Sequence, residues 1–291
     1  MPDAPDALPS FLRLGPARPS GPVILAIPHA GRDYPRALRA MAAVPIARLE
    51  SIEDRHADLL AADAVAAGAT AFVARRARCW IDLNRDEREV DPAMIDPSPK
   101  PGDVVTSAKV RGGLGLLPRR LPGAGELWRS RIAATDLAAR IAADHRPWHA
   151  AIAAALADAR ACFGASLLLD CHSMPPLAPQ DAGGAPDIVL GDRFGRSAAD
   201  RLVERIAAIA RAEGLTVARN SPYAGGYTLD RHGAPARGTH AIQIEVDRSL
   251  YLAADMRTPG PGVARIGALI ARMAAALADE LAAQPASLAA E

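Results

Sequence analysis

The residues best suited to chemistry stand where apolar runs stop. His29 follows VILAIP, Asp82, Asn84 and Arg85 follow CWI, Asp170 and His172 close ASLLLD, and Glu245, Asp247 and Arg248 close AIQI. In open α/β sheets ligands gather just beyond the carboxyl ends of the strands. If these apolar runs are strands of one sheet, the polar residues after them meet in space. Two imidazoles, several carboxylates and two guanidiniums are then the ingredients of a catalytic metal site. They provide N and O ligands, a carboxylate base and a cation for an anionic substrate. A single strand-end histidine is more often a buried ring satisfied by hydrogen bonds. Two of them, each ending its own apolar run, shift the reading towards metal, for which neutral imidazole is the commonest side-chain ligand.

Asp54 and Asp58 lie four apart, so on a helix they share a face, with Arg55 and His56 between them. The plain alternative is a solvated helix face; the functional one is that either aspartate supplies a third, oxygen ligand. His56 could replace them, but its spacing turns it to another side of the helix. Cys171 next to His172 points to the other face of a strand and reads as packing rather than nucleophile. Ser173 lacks a G-x-S-x-G elbow. The glycines near Gly112 lack the Lys-Ser/Thr ending of a phosphate loop.

The elements that must position these groups alternate. Strands are expected from Val23 to Pro28, at Ala71–Val73, ending at Cys79–Leu83, at Ala165–Asp170, at Asp187–Leu190 and at His240–Val246. Helices are expected over 47–68, 126–161 with a break near Pro147, 195–213 and 262–284. Residues 220–239 are turn-rich. Strands alternating with helices predict a three-layer α/β fold, a mixed, mostly parallel sheet with helices on both faces. One domain over 1–291 is expected, with 1–20 as a loose Pro-rich lead-in and 91–123, rich in Pro and Gly, as a flap over a site.

Composition narrows the class. Half of the 291 residues are apolar, enough for a sizeable core, while aromatics make up only 4%; the abundance of Ala and Arg is read as genome bias. A formal charge of +1 gives no global field for nucleic acid or a membrane surface. Cys79, Cys162 and Cys171, an odd set without a CxxC pair, argue against a disulfide framework and fit a reducing cytoplasm. The acidic, Pro-containing start is unlike a signal peptide, and no apolar stretch is long enough to span a bilayer.

PHAG at 28–31, ED-x3-D at 53–58, DLNR at 82–85, DCHS at 170–173, NSPYAGGY at 220–227 and HAIQIEVDRSLY at 240–251 together resemble the N-formylglutamate amidohydrolase family. DLNR also resembles the wider zinc carboxypeptidase and aspartoacylase group, whose mixed α/β sheet carries zinc at its carboxyl edge. The resemblance implies hydrolysis of N-formyl-L-glutamate, a small anionic N-acyl amino acid, to formate and L-glutamate late in histidine breakdown. It implies Zn2+ or another divalent metal on His29 and His172. The wider group takes a Glu three residues after the first His, but Arg32 stands there, so the third ligand is assigned to Asp54, with Asp58 second. Glu245 is implied as general base and Arg85 with Asn84 as the clamp on the substrate carboxylate. Arg237 and Arg248 are implied as second carboxylate contacts, and Asp170 as the group orienting a ligand histidine. Tyr223 or Tyr227 can offer a hydroxyl to the substrate. Two other readings stay open: a related metalloamidase acting on another N-acyl amino acid or short peptide, and a non-catalytic small-ligand-binding relative. Oligomeric state is not legible.

Overall fold

A seven-stranded sheet organises the chain in the computed structural model, which describes residues 9–121, 123–179 and 184–283. Its strands are β1 (Phe11–Leu14), β2 (Val23–Ile27), β3 (Thr70–Ala74), β4 (Ser166–Met174), β5 (Ile188–Gly191), β6 (Val217–Arg219) and β7 (Thr239–Asp247). They lie in the order β1-β3-β2-β4-β7-β5-β6. Strands β3, β2, β4 and β7 run parallel; β1 is antiparallel to β3, and β5 is antiparallel to β7. This is the mixed, mostly parallel sheet expected from the sequence.

Every residue of β2 and β4 is buried, as strands covered on both faces require. On one face Leu25, Leu169, Ile242 and Ile244 pack under α2 (Asp200–Ala212) and α4 (Gly262–Ala282). On the other, Ile24, Phe72, Leu168 and Ala241 meet Trp148, Ile152 and Leu156 of α1 (Arg146–Phe163). Pro147 lies just past the point where a helix over Ala134–Arg140 widens into a π-turn over Ile141–His145 and continues as α1, and the widened turn accommodates its missing N–H.

The face towards α1 changes character along the strands. Side chains alternate, so Leu168, Asp170 and His172 of β4 share that face, as do Ala241, Gln243 and Glu245 of β7. Its amino-terminal half is apolar and its carboxyl-terminal half polar, and that switch places the candidate site.

The structure corrects four local expectations. Residues 47–68 are not one helix: short turns at Ile46–Leu49 and Glu50–Ile52 stop at Glu53, and the chain resumes at Ala57 after a left-handed His56 (φ 62°). The Asp54 N–H donates to His29 O instead of continuing a helix. Cys79–Leu83 is not a strand; it is a buried turn whose Trp80 and Asp82 N–H groups go to Ala77 O and Leu116 O. Within 126–161, the short strands Gly125–Glu126 and Ile132–Ala133 precede the helices. Of the lead-in expected over 1–20, residues 1–8 lie outside the described residues, while 11–14 form an edge strand on β3. The 91–123 segment is anchored by buried Met94, Ile95, Val110, Leu116 and Leu117; its residue 122 lies outside the described residues.

Candidate active site

Three chain segments converge at the carboxyl edge of β2, β4 and β7. His29 lies just past β2, His172 lies inside β4, and Asp54 is carried in by the broken turn. His172 Nδ1 is 3.1 Å from His29 Nδ1 and 2.9 Å from Asp54 Oδ2, and His29 Nδ1 is 3.4 Å from the same oxygen. All three side chains are buried.

The other ring nitrogens fix the tautomers. His29 Nε2 lies 2.7 Å from Asp82 Oδ1 and His172 Nε2 lies 3.0 Å from Asp170 Oδ2. A carboxylate only accepts, so each Nε2 carries the proton and each Nδ1 turns a lone pair inward. With both rings neutral, two nitrogen lone pairs and a carboxylate oxygen face one another. Ligands about 2.1 Å from a tetrahedral zinc lie about 3.4 Å apart, and the observed separations span that range from below. The donor set fits a divalent cation on His29, Asp54 and His172.

The local field also favours positive charge. Burial pulls the His172 pKa down, but the charge and hydrogen bond of Asp170 and the Asp54 carboxylate carry it well above the ordinary imidazole value. Burial would raise Asp54, yet its hydrogen bonds to His172 and His29 hold it well below the usual carboxylate range. What stabilises a proton among these atoms stabilises a cation there.

Glu245 stands opposite His172 in the parallel register of β7 and β4. Gln243, two residues earlier on the same face, donates to Glu245 Oε1 at 2.9 Å. Burial raises the Glu245 pKa to about 7, with His172 pulling it down and Asp54 pushing it up. Such a carboxyl is poised to exchange protons near neutrality.

Guanidiniums ring this group. Arg85 is buried and donates through Nε to Leu114 O and through an amine to Asn84 O. Asn84 Oδ1 accepts from Thr228 N at 2.9 Å, and its Nδ2 lies 3.3 Å from His172 Nε2. Tyr223 is half-buried; burial raises its pKa, and the Glu245 charge adds to the rise. Arg248 is engaged otherwise. It donates to Asp54 Oδ1 at 3.1 Å, Ser173 Oγ at 3.2 Å and Ser51 O at 3.3 Å, and so braces the Asp54 carboxylate. Arg237 is not brought to the site. It precedes Thr239, which starts β7 and itself stands six residues and about 20 Å before Glu245. There it lines a separate surface cavity of about 230 Å³ with Arg160 and Arg231. Asp58 is turned away as well, held by Arg32 through two bonds of 2.7 and 2.8 Å.

Three contributors escaped the sequence reading. Arg78 donates through Nε to Asp82 Oδ2 at 2.8 Å; burial, the largest single effect, lowers its pKa, but Asp82, Asp54 and Glu245 together outweigh it and raise it. Its i,i+4 spacing to Asp82 was the available signal. Gln243 shows itself by the two-residue spacing to Glu245. Lys109, in the 91–123 segment, has its pKa lowered first by burial and then by the Arg85 and Arg78 charges, with Glu245 and Asp82 opposing; nothing in its local sequence marks it.

Comparison with known proteins adds the chemistry. The family described as N-formylglutamate amidohydrolase matches residues 21–252. N-formylglutamate deformylase of Pseudomonas aeruginosa is 31% identical over 235 residues, covering 79% of this chain and 82% of that protein. The Pseudomonas putida deformylase is 30% identical with the same coverage. The crystal structure of N-formylglutamate amidohydrolase from Ralstonia eutropha JMP134 superimposes with a TM-score of 0.86 at 31% identity, covering 94% of this chain and 99% of that one.

Proposed function

Because the chain belongs to the N-formylglutamate amidohydrolase family, we propose that it hydrolyses N-formyl-L-glutamate to formate and L-glutamate with a divalent metal, zinc in the first instance, held by His29, Asp54 and His172. The observation that carries the reading is the meeting of two inward Nδ1 lone pairs and Asp54 Oδ2 beside the strand-paired Glu245. A cation there would polarise the formyl carbonyl and make water beside it more acidic.

The chain's own residues do the rest. Glu245 takes a proton from the attacking water and returns it to the amine nitrogen as the C–N bond breaks, so the nitrogen leaves neutral. Gln243 holds the Glu245 carboxylate through Oε1 and leaves Oε2 for this transfer. Arg78 is anchored by one donor on Asp82, and its terminal amines serve the oxygen charge that develops at the formyl carbon. Arg85 and Asn84 hold a substrate carboxylate, a planar acceptor that a guanidinium fork matches. Lys109 and the Tyr223 hydroxyl contribute to the second carboxylate. Arg248 orients Asp54, and Asp82 and Asp170 orient the two imidazoles.

Formate release tests this reading, measured on N-formyl-L-glutamate, N-formyl-L-aspartate and N-acetyl-L-glutamate before and after chelation and metal return. Turnover of the first substrate, lost on chelation and restored by zinc, is expected. A metal-loaded protein that ignores it and cleaves another N-acyl amino acid would move the assignment to a related amidase.

A further inference from the structure

Three imidazoles outside the metal group lie buried behind Asn84. These are His145, the last residue of the π-turn, His149, one turn further on in α1, and His232 at the end of α3 (Tyr227–His232). None of them touches His29, Asp54 or His172, and nothing in the hydrolytic steps uses them. Their contacts are directed. His149 Nε2 lies 3.0 Å from Leu83 O and His145 Nε2 lies 2.8 Å from Arg85 O. A carbonyl oxygen only accepts, so both Nε2 atoms carry protons. His149 Nδ1 is then a lone pair, and His232 Nε2, 3.0 Å from it, must be the donor. The order runs His232 N–H to His149, then His149 N–H to Leu83 O.

The pinned carbonyls flank one residue. Leu83 and Arg85 enclose Asn84 in a turn that belongs to no sheet, so no strand ladder sets its peptide planes. The face of Tyr227 stacks on His145 (5.8 Å, 27°), and its ring meets His149 edge-on (5.2 Å, 85°). The next residue, Thr228, donates its N–H to Asn84 Oδ1, and Gly226 N–H reaches Gln243 Oε1 at 3.2 Å. The π-turn over Ile141–His145 directly precedes α1, and such turns recur at functional sites. Burial lowers the pKa of all three rings, which keeps them neutral and preserves the donor order at working pH.

We propose that His145 and His149, the latter ordered by His232, are positioning residues that set the Asn84–Arg85 substrate clamp by holding the carbonyls on either side of Asn84. The proposal rests on the assignment of Asn84 and Arg85 to substrate binding.

The test compares His149→Leu with His149→Gln. Gln can present an N–H where Nε2 stands; Leu fills the space without a donor. Positioning predicts that the Leu variant raises KM for N-formyl-L-glutamate about tenfold or more with kcat within about threefold, and that Gln restores KM. Amide hydrogen exchange across 82–86 should quicken in Leu and not in Gln. A role confined to packing predicts the reverse order, with Leu the better tolerated and KM unmoved; that order, or unchanged exchange in the Leu variant, overturns the proposal. Should His149→Leu not fold, His145→Leu and His145→Gln probe the Arg85 carbonyl by the same comparison. If the wild type does not turn over N-formyl-L-glutamate, the substrate reading has failed, and the exchange order alone still decides whether these rings position the turn.

Discussion

Glu245→Gln separates chemistry from stability, because the two should move in opposite directions. The substitution keeps the shape and the acceptor for the Gln243 amide but removes the base. Positioned general bases contribute about a hundred- to ten-thousand-fold, so formate release should fall by that factor while KM changes little. Stability should rise. Burial carries this carboxyl from 4.5 to about 7. At about 1.4 kcal/mol per pH unit, ionising it in the chelated folded protein costs about 3 kcal/mol. Between pH 4.5 and 7 the folded state binds the extra proton. This stabilising contribution is therefore complete below the unfolded value and is lost as pH rises through about 7. Chelated Glu245→Gln should match chelated wild type near pH 4.5 and exceed it at pH 8 by up to about 3 kcal/mol. Urea denaturation at the two pH values reads this, alongside a formate assay on the metal-loaded enzyme. Activity above a tenth of wild type would remove Glu245 from the proton transfer. Equal stability at pH 8 would refute the burial argument.

Asp54→Asn should abolish stoichiometric metal binding, whereas Asp58→Asn, which breaks only the outlying contact with Arg32, should bind metal and turn over normally; metal analysis after dialysis separates them. Asp82→Ala frees His29 to rotate and should weaken metal affinity about 10- to 100-fold in a chelator competition; unchanged affinity would deny Asp82 its orienting role. Arg85→Ala removes a charge-assisted contact of about 1.5–3 kcal/mol and should raise KM about 10- to 100-fold, and an unaltered KM would exclude the clamp. Burial holds the pKa of His240 at about 4, against an ordinary 6.5. The unfolded chain therefore takes up the proton first, and the stability contributed by the neutral ring is lost as pH falls from 6.5 towards 4. His240→Gln should be less acid-sensitive than wild type over that window by denaturant midpoint, and a parallel loss would contradict the assignment.

Much of this site is legible in the order of residues. His29, Asp170, His172 and Glu245 announce themselves because a polar group that ends or interrupts a buried strand must be satisfied by something, and strand alternation says which share a face. The mixed sheet follows from the same alternation and from the helices between apolar runs. The Asp82–Arg85 segment was found by that filter too, although it comes from a buried turn and not from a strand end.

What sequence periodicity reports is the face a residue takes within its own element; it says nothing about which element comes to meet it. Asp54 and Asp58 look equivalent on a helix, and they separate only because the chain breaks at His56 and Arg32 captures Asp58. Arg237 and Arg248 look alike as cations near a catalytic strand, yet one lies at its far end and the other is held against Asp54. Lys109 and the histidines behind Asn84 become visible only once the chain has folded, because partners far apart in sequence define their roles. The ordered residues thus determined the architecture and the donors at its strand ends, while tertiary packing chose among the loop-borne groups and assigned each its partner.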